Sequence, residues 1–228
     1  ITYILTLLSL VFSIFAAYLP AQAKSNPQNI PNQKFEDSVV VSDLEYTSRL
    51  FKPNLSFTGI ASSWEKNIFA VTIYMRAGKT PDTLSPWAGI EGDEDIGPDN
   101  GTNSLNYGGV FNANGDKYFQ YKAIFGKQDI GKNFNISFDV FDASAGPINT
   151  NISVDNTGLG PNIISRAGWG ANEAYMTWEP EYSEAKAFVI HHTAGDVGAD
   201  FADQKALMRN IYYSHAISNG WGDIGYNY

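Results

Sequence analysis

Cysteine is absent from the 228 residues. That excludes a disulfide framework, so whatever folds here must be held by its own core. Positive charge is scarce as well: Lys and Arg number 15 against 24 Asp and Glu, for a net charge of −9. No run of Lys and Arg gathers along the chain, which argues against nucleic acid or an anionic membrane surface as partner, since both need a basic face. Charge of either sign is missing from Ile1 to Leu19. Between Asp37 and Asp142 there is no helix-length stretch of 3.6-residue periodicity, which excludes an α-helical first half.

What is present divides the chain into five parts. The uncharged run from Ile1, followed by Pro20 and the small-residue site Ala21-Gln22-Ala23, reads as a signal peptide over residues 1–23. Cleavage before Lys24 predicts a secreted or periplasmic protein with no stable membrane insertion, and an uncleaved anchor is the alternative for a run of this length. Residues 24–36, rich in Asn, Gln, Pro and Ser, read as a linker. Residues 37–142 hold short runs such as Phe69–Met75, Tyr118–Ile124 and Ile136–Asp142, rich in β-branched and aromatic residues and separated by Asn, Gly, Asp and Pro turns. That pattern predicts an antiparallel β-sandwich. A second turn-rich stretch, 143–161, reads as another linker. Beyond it, 162–228 has the texture of a mixed α/β domain with a central sheet and flanking helices. Lys186–Ile190 is its predicted strand, and Asp200–Asn219 its predicted helix, with Leu207, Ile211, Tyr212 and His215 on one stripe and Gly220 as the glycine closing it.

The chemistry sits in this last part. His191 follows the strand directly, where a rigid element would project an imidazole into a cleft, although such a His pair taken alone is more often structural or solvated. Three motifs then occur in order: Ser165–Ala171, Val189–Gly195 and Gly220–Asn227. Together they resemble the N-acetylmuramoyl-L-alanine amidase type 2 family, which includes peptidoglycan recognition proteins, over roughly Asn162 to Tyr228. The chain begins at Ile1 rather than Met and stops just past the third motif, which reads as a fragment holding the first half of such a domain.

The resemblance implies a site. His191 matches the family's first Zn2+ ligand and Tyr226 its catalytic tyrosine, with the remaining ligands expected beyond Tyr228. One ligand where three are needed implies that this stretch alone is inactive. In the family, three ligands leave a position for water, whose lowered pKa supplies hydroxide to attack an amide carbonyl. His192 and Thr193 are expected near substrate, while His215, Asn219, Gly220 and Trp221 match positions lining the stem-peptide groove. A Gly-Trp pair there accompanies preference for meso-diaminopimelate peptides. Physically, Gly220 lets a ligand carboxylate approach backbone, and Trp221 offers its face to an aliphatic stem. Arg166 and Trp169 are expected to anchor the domain's N-terminal stretch, and Asp223 to serve a turn.

The implied function is an exported zinc-dependent amidase cleaving the N-acetylmuramoyl-L-alanine bond of peptidoglycan. The alternative is a non-catalytic recognition protein that keeps the groove. A cytoplasmic recycling amidase is opposed by the leader and the sandwich. Aromatics of the sandwich, Trp64, Trp87 and Phe119-Gln120-Tyr121, either stack on sugar rings or, more often in an all-β domain, fill the core. The acidic stretch from Glu91 to Asn100 lacks the alternation of a calcium loop and reads as solvated.

Overall fold

A computed structural model describes residues 31–93, 104–144, 163–177, 190, 193 and 201–226, with 201–203 described in backbone only. The predicted signal peptide, almost all of the second linker, the acidic residues from Glu94 to Asn100, and His191 with His192 lie outside the described residues.

Among the described residues, nine strands form two antiparallel sheets. Sheet A is ordered β1 (Asn32–Val40), β9 (Asn133–Phe141), β3 (Phe57–Glu65), β7 (Leu105–Asp116), β6 (Gly92–Asp93). Sheet B is ordered β2 (Glu45–Thr47), β8 (Tyr118–Phe125), β4 (Val71–Gly78), β5 (Ala88–Ile90). Period-two alternation explains their packing: Phe134, Ile136, Phe138 and Val140 of β9 face Phe119, Tyr121 and Ala123 of β8 in one core. The rings of Phe119 and Phe138 meet edge to face at 5.4 Å across the two sheets. Trp64, Phe119 and Tyr121 are thus core residues, 6%, 0% and 0% exposed. Trp87 is not: it lies half-buried near the outer face of sheet B.

One boundary moves. Residues 32–36, read as linker, are the first part of β1 and pair with β9 in register from Asn32 opposite Phe141. The polar composition conceals an edge strand that needs apolar groups on one face only. Phe35 supplies that face, packing on Phe51 and Phe119 at ring distances of 5.6 Å each.

In 163–226 the described elements are helical: α1 (Arg166–Trp169), a 3-10 turn at Glu173–Tyr175, and α2 (Phe201–Tyr213) running into a π-helical turn at Ser214–Ser218. Of the strand expected at Lys186–Ile190 only Ile190 is described; it lies in no strand and is 89% exposed. The predicted helix is present, and Leu207, Ile211, Tyr212 and His215 are all buried along it.

The helix packs on the sandwich. Ala61 and Phe141, on the outward face of sheet A, share a second core with Trp169, Ala171, Tyr175, Tyr212, Tyr213 and Ala216. Phe141 and Tyr213 stack at 4.0 Å. Asn210 donates to the Thr58 carbonyl at 2.8 Å and to Asn112 Oδ1 at 2.9 Å, and its own Oδ1 accepts from the Thr58 hydroxyl at 2.9 Å. Gly59 permits this approach: a Cβ there would lie 2.5 Å from the Phe141 ring.

Candidate functional site

The end of α2 builds a small corner. The wider π turn closes with the Asn219 N–H donating to the Ser214 carbonyl at 2.8 Å, a distortion that often marks functional helix ends. Gly220, at φ +72°, takes the left-handed conformation that ends a helix, in keeping with its place in the sequence. The chain then turns back so that Trp221 N–H donates to the His215 carbonyl at 3.0 Å and Gly222 N–H to the Ala216 carbonyl at 3.3 Å. From the other side, Thr177 N–H donates to the Gly222 carbonyl at 2.9 Å, tying the stretch after α1 to the loop.

Three rings converge in this corner. The His215 ring lies 4.5 Å from Trp221 and 5.5 Å from Tyr226. Its Nδ1 accepts the Gly225 N–H at 3.1 Å, and Gly225 comes so close to Trp221 that a Cβ would meet the indole at 3.0 Å. Burial in this apolar setting lowers the His215 pKa to about 4. At neutral pH the imidazole is therefore uncharged, with Nδ1 spent as an acceptor and its proton on Nε2. Asn219 contributes a different feature: its Nδ2 is buried without an acceptor among the described residues, an unmet donor at the end of the helix. Gly220 is exposed, and Trp221 and Tyr226 are half-buried.

The N-terminal segment braces the corner. Ser165 Oγ accepts the Gly168 N–H at 3.2 Å and caps α1. Arg166 grips Glu173 through two bonds of 2.9 Å and donates to Asp223 at 3.0 Å. Its guanidinium also lies 4.7 Å over the Tyr212 ring. Asp223 in addition accepts the Ile224 N–H at 2.7 Å, so its carboxylate serves the turn.

Of the residues singled out by sequence, then, His215, Asn219, Gly220, Trp221 and Tyr226 are brought to one corner. Thr193 is half-buried, and His191 and His192 lie outside the described residues. Sequence reasoning missed the sandwich residue behind the corner. Asp139 of β9 accepts the Ser218 hydroxyl at 2.6 Å, 79 positions apart in the chain, and burial pushes its carboxyl pKa up. No local signal marks such a pair. No three His, Cys, Asp or Glu side chains gather among the described residues, which leave out the expected ligand His191, and His215 commits Nδ1 to Gly225.

Fold and site together define a β-sandwich that carries, on one outer face, a helix ending in an aromatic-lined corner. No family model matches the chain. Among characterised proteins, it is similar to peptidoglycan-recognition protein SC2 of Drosophila melanogaster, 39% identical over 71 residues, which are 31% of this chain and 38% of that protein. Peptidoglycan recognition protein 1 of Bos taurus is 33% identical over 67 residues, 29% of this chain and 35% of its own. For peptidoglycan recognition protein 3 of Homo sapiens the figures are 36% over 69 residues, 30% and 19%. About 70 residues of the chain are thus similar to peptidoglycan-recognition proteins, which bears out the expected resemblance for that part, and the match spans less than two fifths of these relatives' length. Among solved structures, the SPBc2 prophage-derived protein YomS overlaps 47% of this chain and 94% of its own at 11% identity and a TM-score of 0.28. A Bacillus endospore appendage protein overlaps 50% and 88% at 13% identity and a TM-score of 0.23. Scores this low assign no fold.

Proposed function

We propose that this chain is part of an exported peptidoglycan-recognition protein whose corner at His215, Asn219, Gly220, Trp221 and Tyr226 takes the wall stem peptide, with meso-diaminopimelate as the preferred third residue. The observation that carries the reading is a corner that holds an unpaired amide donor, an exposed glycine and an indole face, in a chain of which about 70 residues are similar to recognition proteins. The chemistry is complementary. The exposed backbone at Gly220 suits a carboxylate, with the unmet Asn219 amide just behind it, while Trp221 suits the aliphatic stem between the two ends of diaminopimelate. A neutral His215 holds the loop through Gly225 without setting a positive charge against the ligand's ammonium group.

Hydrolysis of the N-acetylmuramoyl-L-alanine bond is the finer reading. It rests on His191 as a zinc ligand and Tyr226 as the catalytic phenol, through the sequence motifs alone. His192 and Thr193 would then border the substrate.

Titration calorimetry of the expressed protein against soluble diaminopimelate-type and lysine-type stem peptides tests the main reading. The first is expected to bind, and Trp221→Ala to weaken that binding at least about tenfold, because the variant removes the surface on which the aliphatic stem rests. A folded protein that binds neither peptide overturns it. Stem-peptide release from diaminopimelate-type wall by the full-length protein, abolished by a chelator and by Tyr226→Phe, decides the amidase reading separately.

A further inference from the structure

The second outer face of the sandwich differs in chemistry from the first. On sheet B, Tyr74 pairs across the strands with Lys122, and Arg76 with Gln120. Their side chains, alternating with the core residues, point outward and are half-buried. Trp87, just before β5, leans over them. The Arg76 guanidinium lies 4.3 Å from its ring centre and the Lys122 ammonium 5.3 Å from it, and the same ammonium is 5.3 Å from the Tyr74 ring. Gln120 holds Arg76 in place, accepting from Nε at 3.0 Å and from Nη2 at 2.6 Å, while its own amide donates to the Ser48 carbonyl at 2.6 Å. Toward the other end of the face, Lys52 lies 5.6 Å over the Tyr118 ring. Neither Arg76 nor Lys122 pairs with a carboxylate among the described residues. In a protein of net charge −9, three cations laid over three aromatic rings on a sheet face that no described element covers are a local reversal of sign.

We propose that this face binds an acidic wall glycan: a glycan strand whose muramic-acid lactyl carboxylates are free of stem peptide. Interleaving decides the chemistry. The cations lie against the rings, 4.3 to 5.3 Å from their centres, so a pyranose that rests on the part of Trp87 or Tyr74 left free of them brings the carboxylate on that sugar within reach of Arg76 or Lys122. A phosphodiester-linked polyol offers no ring to stack. Nucleic acid offers rings, but its dense charge is repelled by the strongly acidic remainder of the molecule. The choice of a wall polymer rests on the recognition reading above, whereas the face itself is separate from the His215 corner.

The test uses the whole expressed protein with three immobilised probes: glycan strands stripped of stem peptide, chitin oligomers, and single-stranded DNA. The expected result is retention on stripped strands that exceeds chitin at least about tenfold, falls as salt rises, and drops about tenfold in the Arg76→Gln/Lys122→Gln double variant, as removal of charge-assisted hydrogen bonds requires. Trp87→Ala is expected to weaken stripped strands and chitin alike. Soluble stem-peptide binding stays unchanged in all three proteins. Equal retention on chitin, tighter retention on DNA, or indifference to the double variant overturns the proposal. Absence of stem-peptide binding in the parent with stripped-strand binding intact would instead overturn only the recognition reading.

Discussion

The two outer faces of the sandwich are built from the same strand grammar and end differently. Along β8 the alternation is regular: every second residue is buried in the core, and Tyr118, Gln120, Lys122 and Ile124 stand half-exposed outside. Along β9 it fails toward the end, where Asp139, Val140 and Phe141 are all buried. The failure is the mark of α2 and the π turn that continues it, which cover that face through Asn210 and Tyr213 of the helix and Ser218 of the turn. An outward face that loses its alternation has been recruited into a second core, and one that keeps it with rings and cations still has surface to offer.

That contrast can be broken from the covered side first. Phe141→Ala removes a stacked ring from the joint between sheet A and α2, and is expected to cost about 3–5 kcal/mol. Urea unfolding checks it, and an unchanged midpoint would mean that the joint contributes nothing to stability.

Acid comes next. Because the folded His215 pKa of about 4 lies below the ordinary value near 6.5, the stability it contributes is complete above about pH 6.5 and disappears as pH falls toward 4, roughly 3 kcal/mol in all. Asp139, whose carboxyl is pushed up by burial, acts in the opposite sense over the acid range, so the comparison must be made with His215→Gln. Unfolding midpoints followed from pH 7 to pH 4 are expected to fall more steeply in the parent than in that variant, and parallel curves would refute the assignment.

Asn210→Ala is milder, at about 1–3 kcal/mol, since it strands Asn112 and the Thr58 carbonyl near the joint. Calorimetric melting reads it. Least of all, Arg76→Gln/Lys122→Gln on the open face is expected to stay within about 0.5 kcal/mol of the parent. A large destabilisation there would show that the cations are structural and leave the face without a binding role.

Much of the chain is legible in its sequence, for physical reasons that differ by region. The sandwich shows in its strands because burial on one face forces alternation, as Phe134, Ile136, Phe138 and Val140 display. The helix after Asp200 shows in its stripe, and its end in Gly220, because only glycine adopts φ +72° at little cost. Residues 32–36 mislead because an edge strand with one inward phenylalanine resembles a polar linker in composition. The corner is half legible: the resemblance to recognition proteins singles out His215, Trp221 and Tyr226, but nothing local announces that Nδ1 of His215 is spent on Gly225.

By itself, then, the sequence determined the antiparallel β-rich half, the helix with its glycine end, the absence of disulfides and the kinship of about 70 residues with recognition proteins. Tertiary structure alone decided which sheet face α2 would cover, that Asp139 would meet Ser218 across 79 positions, and that cations scattered from Lys52 to Lys122 would gather on one surface of an acidic protein. The reason is range. Periodicity and turn chemistry act over a few residues and are written locally, whereas a face-to-face contact depends on how two finished elements fit together, and no stretch of chain records that fit.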